Sequence, residues 1–514
     1  MEHYEARKYG LKVLLVYPRY PDTFWGFKHA LKFVSKKASL PPLGLLTVAA
    51  MLPQAWDKKL VDMNITALTD EDIKWADYVF VSAMAIQRAS VVEVIARCNQ
   101  LGTKLVAGGP LFAIEHEEFT GVDHFVLGEA EMILPVFLAD VADGCAKSLY
   151  KANVSPDIRQ TPLPLWSLLD MKQYSSMSIQ YSRGCPFDCD FCDVTVLYGH
   201  NPRTKTSNQM VNELDALRHH GWRGPIFLVD DNFVGNKKKL KAEILPTILE
   251  WSQRGKYPFF FSTQASINLA DDEELMRLMV ETNFKKVFIG IETPNEDSLT
   301  ECNKQQNKGR NLVESVKKIH NYGLEVQGGF IVGFDNDPVS IFRSQINFIQ
   351  QSGIVTAMVG LLNAPRGTQL YQRLKQENRI LQNISGDNTD CSINFIPKMN
   401  YATLVSGYQS ILNTIYSPKQ YYERIRMFLR EYKPQKKEQG VSQLQLWHIT
   451  AFIKATWFLG IKERGRSHYW KLILLTLLRR PRSFPLSVML SILGFHCRQI
   501  ARQLSNPTAQ DVST

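Results

Sequence analysis

Apolar and polar positions follow two rhythms along this chain. Short apolar runs at 11–17, 59–62, 78–82, 104–107 and 124–127 are separated by stretches at helical spacing, at 42–52, 86–101 and 129–140. A run such as Leu11-Lys12-Val13-Leu14-Leu15-Val16-Tyr17 is too short for a helix and reads as a strand. Strands that alternate with helices imply a parallel, doubly wound sheet. The alternation resumes after Pro162 and Pro164, with strands at 177–183, 225–229, 258–263, 286–289, 325–332 and 354–361. Helical stretches at 208–220, 238–252, 273–282, 311–321 and 339–351 lie between them. About six β/α units suit a partial barrel, where chemistry sits on the loops after the strands. Beyond 368 the pattern turns helical, at 401–416 and 420–432, followed by a polar linker at 434–440 and apolar clusters alternating with arginine. The fold class is therefore α/β. The expected division is a Rossmann-like domain at 1–150, a linker at 151–175, a partial (β/α)6 barrel at 176–380 and a helical domain at 381–514.

Composition narrows the class. Hydrophobic residues make up 45% of the 514 residues and charged residues 21%, which is ordinary for a globular protein. Eight cysteines over this length do not form a secreted disulfide scaffold. Cys98, Cys145, Cys302, Cys391 and Cys497 are scattered and read mostly as small buried residues. Residues 1–10 are polar and lack the apolar core of a signal peptide. No uncharged apolar run reaches 18 residues, so a spanning helix is not expected, and 484–495 reads as an interfacial or core segment. The last ten residues, 505–514, read as disordered. A cytoplasmic location follows, with reduced thiols. The net charge of +10 is concentrated late. Between Lys454 and Arg502 stand ten basic residues and one acid, Glu463. With Trp, Leu, Ile and Phe interleaved and no RNA-binding motif, this tail suits the inner face of an anionic membrane better than nucleic acid. A soluble helical cap with solvated arginines is the plainer reading.

The most specific chemistry lies in Ser182-Arg183-Gly184-Cys185-Pro186-Phe187-Asp188-Cys189-Asp190-Phe191-Cys192. Iron–sulfur clusters are held by cysteine thiolates, four for a four-iron cubane. A loop offering three leaves one iron open. Zinc prefers four closed ligands, often in two C-x2-C pairs, and no second pair stands at that spacing. Three unrelated buried thiols remain the other alternative. Strand ends supply further candidates: Asp62-Met63-Asn64, Ser82 and Gly108-Gly109 in the first domain, Asp230-Asp231-Asn232, Gly290-Ile291-Glu292 and Gly328-Gly329 in the second. Glycine pairs let a backbone approach a flat ligand. A strand-end carboxylate is often only a helix N-cap, which is the simpler account of Asp231 and Glu292. Arg203 and Lys205 are candidates for substrate or phosphate contact, or merely a solvated basic patch.

The C-x3-C-x2-C spacing with an aromatic before the last cysteine resembles the signature of radical S-adenosylmethionine (SAM) enzymes. The preceding α/β segments resemble the cobalamin-binding domain found before many such barrels. Together they cover nearly the whole chain and resemble the bacterial cobalamin-binding (class B) radical SAM methyltransferases. Phe24-Trp25-Gly26-Phe27-Lys28-His29-Ala30-Leu31-Lys32-Phe33, Val229-Asp230-Asp231-Asn232-Phe233 and Gly360-Leu361-Leu362 look like the subgroup that contains hopanoid C-2 methylases. The resemblance implies a [4Fe-4S] cluster on Cys185, Cys189 and Cys192, with SAM chelating the open iron. Contacts to SAM are implied for Phe191, Asp231, Glu292, Gly328 and Gly329, and contacts to cobalamin for Asn64, Ser82, Gly108 and Gly109. It implies hydrogen abstraction from an unactivated carbon, a methyl group delivered from cobalamin, and an electron donor such as a ferredoxin or flavodoxin. The D-x-H-x-x-G motif of histidine-ligated cobalamin proteins is altered here: Asn64 replaces the histidine and Ala67 the glycine. Cobalamin is then expected without a histidine ligand, although a degenerate domain with no cofactor is also consistent. The alternative activity is a cobalamin-binding radical enzyme that rearranges or cyclises without methylating. A methylthiotransferase is disfavoured, since that family carries an N-terminal cysteine trio and the first cysteine here is Cys98.

Overall fold

The structure is a computed structural model that describes residues 10–152, 154–387, 389–433 and 446–505. The polar linker at 434–440 and nearly all of the two terminal segments lie outside the described residues.

Strands β1 (Lys12–Tyr17), β2 (Asp57–Asp62), β3 (Tyr78–Ser82), β4 (Lys104–Gly108), β5 (His124–Leu127) and β6 (Leu149–Lys151) form one parallel sheet. Its order is β2-β1-β3-β4-β5-β6. Central strands read as continuous apolar runs because both faces are covered. Along β1, Val13 and Leu15 enter one core cluster, and Leu14 and Val16 enter another on the opposite face. The order reverses at β1, which opens a crevice at the carboxyl ends of β1 and β3.

The second sheet runs β7 (Met177–Ile179), β10 (Pro225–Leu228), β11 (Phe260–Ala265), β12 (Phe284–Glu292), β13 (Glu325–Val332) and β14 (Ala357–Leu361), all parallel and in chain order. The expected single strand at 177–183 is broken. Asp230 accepts from the backbone N–H groups of Tyr181 and Ser182, which takes those donors out of the sheet. The remainder, β8 (Ser182–Arg183), pairs antiparallel with β9 (Arg203–Thr204).

The C-terminal helices Tyr401–Ile415 and Pro418–Glu431 share one core with the barrel. The helix Phe484–Ser505 has 22 residues, longer than the uncharged segment at 484–495. It continues through Arg498 because Glu463 neutralises that buried guanidinium at 2.9 Å. The span Pro481–Leu504 is long and apolar enough to cross a membrane by length and composition, contrary to the expectation from uncharged runs. It is nevertheless 61% buried within the protein, and Tyr421 donates to the Leu490 carbonyl at 2.7 Å. It is a core helix.

Candidate active site

The chain's own contacts shape the cysteine loop. Gly184 has φ 95°, and a Cβ there would meet the Gly199 carbonyl oxygen at 2.9 Å, so the turn into Cys185 requires glycine. Asp230 anchors the loop from below; burial pushes its carboxyl up to about 6. None of the three cysteines forms a disulfide, and burial raises each thiol, Cys192 to about 12. Binding as thiolates would release those protons. The side-chain amides of Asn232 and Gln306 donate toward Cys185 and Cys189 sulfur, each at 3.8 Å. Among the described residues, no three His, Cys, Asp or Glu side chains converge tightly enough for a single metal ion.

Across the loop lies a group that sequence reasoning missed. The register of β12 against β13 shifts between Gly290 and Glu292, and Glu292 has φ 62°. Such a bulge re-aims a side chain. Here it turns buried Glu292 onto the partly buried Lys304, 2.7 Å away. Burial works against the Lys304 ammonium, but the Glu292 carboxylate and the nearby cysteines outweigh it and raise it. The ammonium lies 6.0 Å from the Phe191 ring centroid. Gly290 makes room for this pair, since a Cβ would meet the Glu292 carboxylate at 2.2 Å.

Asp231 is mostly buried and lines the cavity above β10. Its Oδ2 has no hydrogen-bond partner among the described residues, and burial together with Asp230 pushes its carboxyl up to about 7. The β13 glycines differ from expectation. A Cβ on Gly328 would meet the Phe330 ring at 2.7 Å, and one on Gly329 the Phe288 ring at 2.9 Å. Their missing side chains admit the protein's own rings.

On the first sheet, Ser82, Gly108 and Gly109 border the crevice. Space for a Cβ is already taken by the Val126 carbonyl at Gly108 and by the Ser82 hydroxyl at Gly109, so strand packing explains both glycines. Asn64 does not line the crevice. Its amide donates to Asp62 (2.8 Å) and the Pro18 carbonyl (3.3 Å), and its oxygen accepts from Tyr20 N–H. It pins a turn.

Arg203 and Lys205 are not free for substrate. Arg203 pairs with Glu129 at 2.7 Å, and Lys205 with buried Glu213. Arg183, two residues before Cys185, reaches Glu129 (2.6 Å) and Glu131 (2.8 Å). These contacts tie the cysteine loop to the first sheet's last helix, Ala130–Ala142. One cavity of about 3420 Å³ joins the crevice to the barrel interior.

Comparisons with known proteins agree with this architecture. Residues 34–138 match the B12 binding domain, 179–347 the radical SAM superfamily and 368–510 a domain of unknown function. The chain is 40% identical to an uncharacterized methyltransferase of Synechocystis sp., over 90% of this chain and 86% of that protein. It is 31% identical to the hopanoid C-2 methylase of Rhodopseudomonas palustris, over 98% of this chain and 95% of that one. The radical SAM methyltransferase TsrM of Kitasatospora setae, solved with cobalamin and a [4Fe-4S] cluster, shares the fold with a TM-score of 0.61 at 12% identity, covering 96% of this chain and all of that one. The chain belongs to the cobalamin-binding radical SAM methyltransferases. It is thus an enzyme that methylates an unactivated carbon of a small molecule or lipid, using a [4Fe-4S] cluster, SAM, cobalamin and a reductant.

Proposed function

We propose that the substrate is a polycyclic membrane lipid, with a hopanoid the first candidate. The observation that carries this is likeness along nearly the full length to a hopanoid C-2 methylase, helical region included. In this reading Cys185, Cys189 and Cys192 hold the cluster. Lys304 offers its ammonium to the SAM carboxylate. Asp231, with an unpartnered buried oxygen, and Glu292 offer acceptors to its amino group. Phe191 borders the adenine. When bound, SAM supplies the oxidising radical and the methyl donor, and cobalamin carries the methyl group. The chain's own part is to orient these groups and exclude water from the reacting carbon. No side chain is assigned a proton transfer. A low-potential donor such as ferredoxin or flavodoxin would supply electrons. Anaerobic turnover with membrane lipid extract should give a product heavier by one methylene unit. Deoxyadenosine formed from a substrate whose mass does not change would indicate the rearranging alternative instead.

Cobalamin should bind with no imidazole on cobalt, because Asn64 stands at the motif position and is spent on the Pro18–Tyr20 turn. Absorption of the reconstituted protein is expected to be that of base-off cobalamin. A spectrum of nitrogen-ligated cobalt would contradict this.

The same reading has the enzyme sit on the cytoplasmic face of an anionic membrane. Ile453, Trp457 and Ile461 recur at helical spacing and are exposed, as do Trp470, Leu474 and Leu478, the last 82% exposed. Lys462, Arg464, Lys471, Arg479 and Arg482 flank them. Arg498 is buried against Glu463 and does not contribute. Each seated cation is worth about 1 kcal/mol at an anionic surface, and salt weakens it. Co-sedimentation with anionic vesicles should therefore exceed that with neutral ones and fall as salt rises. Equal pelleting on both would remove the electrostatic part of the docking.

A further inference from the structure

The interior of an eight-stranded α/β barrel is normally filled by layers of bulky side chains. Here the inward positions include Ser178 on β7 and Ser262 on β11, and the lumen stays open. The cavity runs from the Ser82–Gly109 crevice down through the barrel to the opposite, N-terminal ends of the strands, where Pro225, Phe260, Lys286 and Glu325 border it. Its volume of about 3420 Å³ is several times that of a single ligand pocket, about 300–1,000 Å³. SAM and cobalamin belong to the upper part. The lower part has no assigned occupant.

Its walls mix apolar side chains with polar ones, Ser178, Ser262 and Gln327 among them. Phe227, Phe288 and Met358 line the middle, and Trp25 packs on Phe288 with ring centroids 4.8 Å apart. Below them Phe452, Phe484 and Met489 from the C-terminal helices extend the wall outward. Lys286, 3.5 Å from Glu325 and 3.6 Å from Met489 sulfur, marks the change from lumen to charged rim. Arg223, Lys256 and Arg482 also border this end. Phe452 adjoins Ile453 of the exposed apolar stripe, so the lower opening and the proposed membrane face share one helix.

We infer that the lower lumen is the binding channel for the apolar body of a membrane lipid, which enters through the underside of the barrel, opposite the cobalamin crevice. This rests on the lipid-substrate reading above. The rings of Trp25, Phe227 and Phe288 suit the faces of a fused-ring skeleton, and Ser178, Ser262 and Gln327 offer partners to its polar groups. The cationic rim suits the anionic headgroups around the opening, so the lipid would pass from bilayer to lumen without crossing water. The reacting carbon would arrive at the Glu292–Lys304 level from below, leaving the upper crevice to the cofactors.

The test uses the full chain reconstituted with cluster and cobalamin, and dehydroergosterol, a fluorescent fused-ring alcohol, as probe. The probe is offered in phosphatidylcholine vesicles containing phosphatidylglycerol, and protein-bound probe is measured after the vesicles are removed. Ser262→Trp and Gln327→Trp each fill the lower lumen from a different strand. Met84→Trp narrows the upper crevice instead. Circular dichroism and cluster absorbance report that each variant has folded. The wild type should take up probe saturably, and either lumen variant about tenfold more weakly, the scale on which shape discriminates in an apolar pocket. Met84→Trp should bind as the wild type does. Full uptake by both folded lumen variants, or loss caused by Met84→Trp alone, overturns the channel while leaving the lipid reading standing. No uptake by the wild type removes the lipid reading, and the channel with it.

Discussion

Replacing Cys185, Cys189 and Cys192 together with alanine is expected to abolish the four-iron absorbance and all reductive cleavage of SAM. The cluster has no other ligand set to fall back on. Of the remaining cysteines, Cys98 and Cys497 are buried in separate cores, Cys145 is exposed on the first domain, and Cys391 lies beyond the barrel. Cys302 is the one competitor. It is close enough to Cys189 and Asp190 for their charges to raise its thiol beyond what burial does, and Asp190 N–H donates to its carbonyl at 3.1 Å. Yet its side chain is completely buried and its thiol points to the Leu299 carbonyl. Cys302→Ala should therefore keep the cluster. The expected contrast is complete loss in the triple variant and retention in Cys302→Ala, read by iron content and by deoxyadenosine after dithionite reduction. A four-iron signal surviving in the triple variant would overturn the assignment of these three cysteines.

What could be read from the chain was what is written locally. The alternation of apolar runs marked the central strands of both sheets, because a strand buried on two faces has few polar positions to confuse it, and it missed β6, a three-residue edge strand with both ends exposed. The cysteine spacing lay within eight residues. What could not be read depends on partners far apart in sequence. Lys304 meets Glu292 across 12 positions through a bulge, and no propensity announces a bulge. Arg183 meets Glu131 across 52 positions. Arg203 looked like a phosphate contact because sequence shows its charge but not the buried Glu129 that neutralises it. The strand at 177–183 was over-extended for the same reason, since Asp230 lies 48 residues from Ser182. The glycines at 108, 109, 328 and 329 suggested room for a ligand, and in each case a neighbouring backbone or ring already fills that room.

Arg183→Met is expected to loosen the cysteine loop from the first domain and to destabilise the apo-protein by about 3–5 kcal/mol, the cost of stranding one member of a buried ion pair. Arg183 is 12% exposed at its side chain, Glu129 8% and Glu131 7%. Glu129 would keep Arg203 at 2.7 Å. The cost therefore falls on Glu131, left with the Thr161 hydroxyl at 2.6 Å and its position in the first turn of its helix. Burial pushes the Glu131 carboxyl up, but Arg183 outweighs it and holds the carboxyl below its ordinary value. A depressed carboxyl contributes stability that is present above its unfolded pKa, about 4.3, and is lost as pH falls through the lower folded value. The gap between wild type and Arg183→Met should thus be full at pH 7 and close below about pH 4. Adding Glu131→Leu to Arg183→Met removes the stranded charge and should recover much of the loss, as a coupled pair does. Urea unfolding of the apo-protein measures these differences, and protease cleavage between β6 and β7 reports whether the domains have separated. If the single variant unfolds with the wild type, or the second substitution only adds to the damage, the clamp contributes nothing to holding cluster loop and cobalamin domain together. If the prediction holds, the distance across which a methyl group must pass is fixed by two arginines on the cysteine side and two glutamates on the cobalamin side, and neither pair is part of the chemistry.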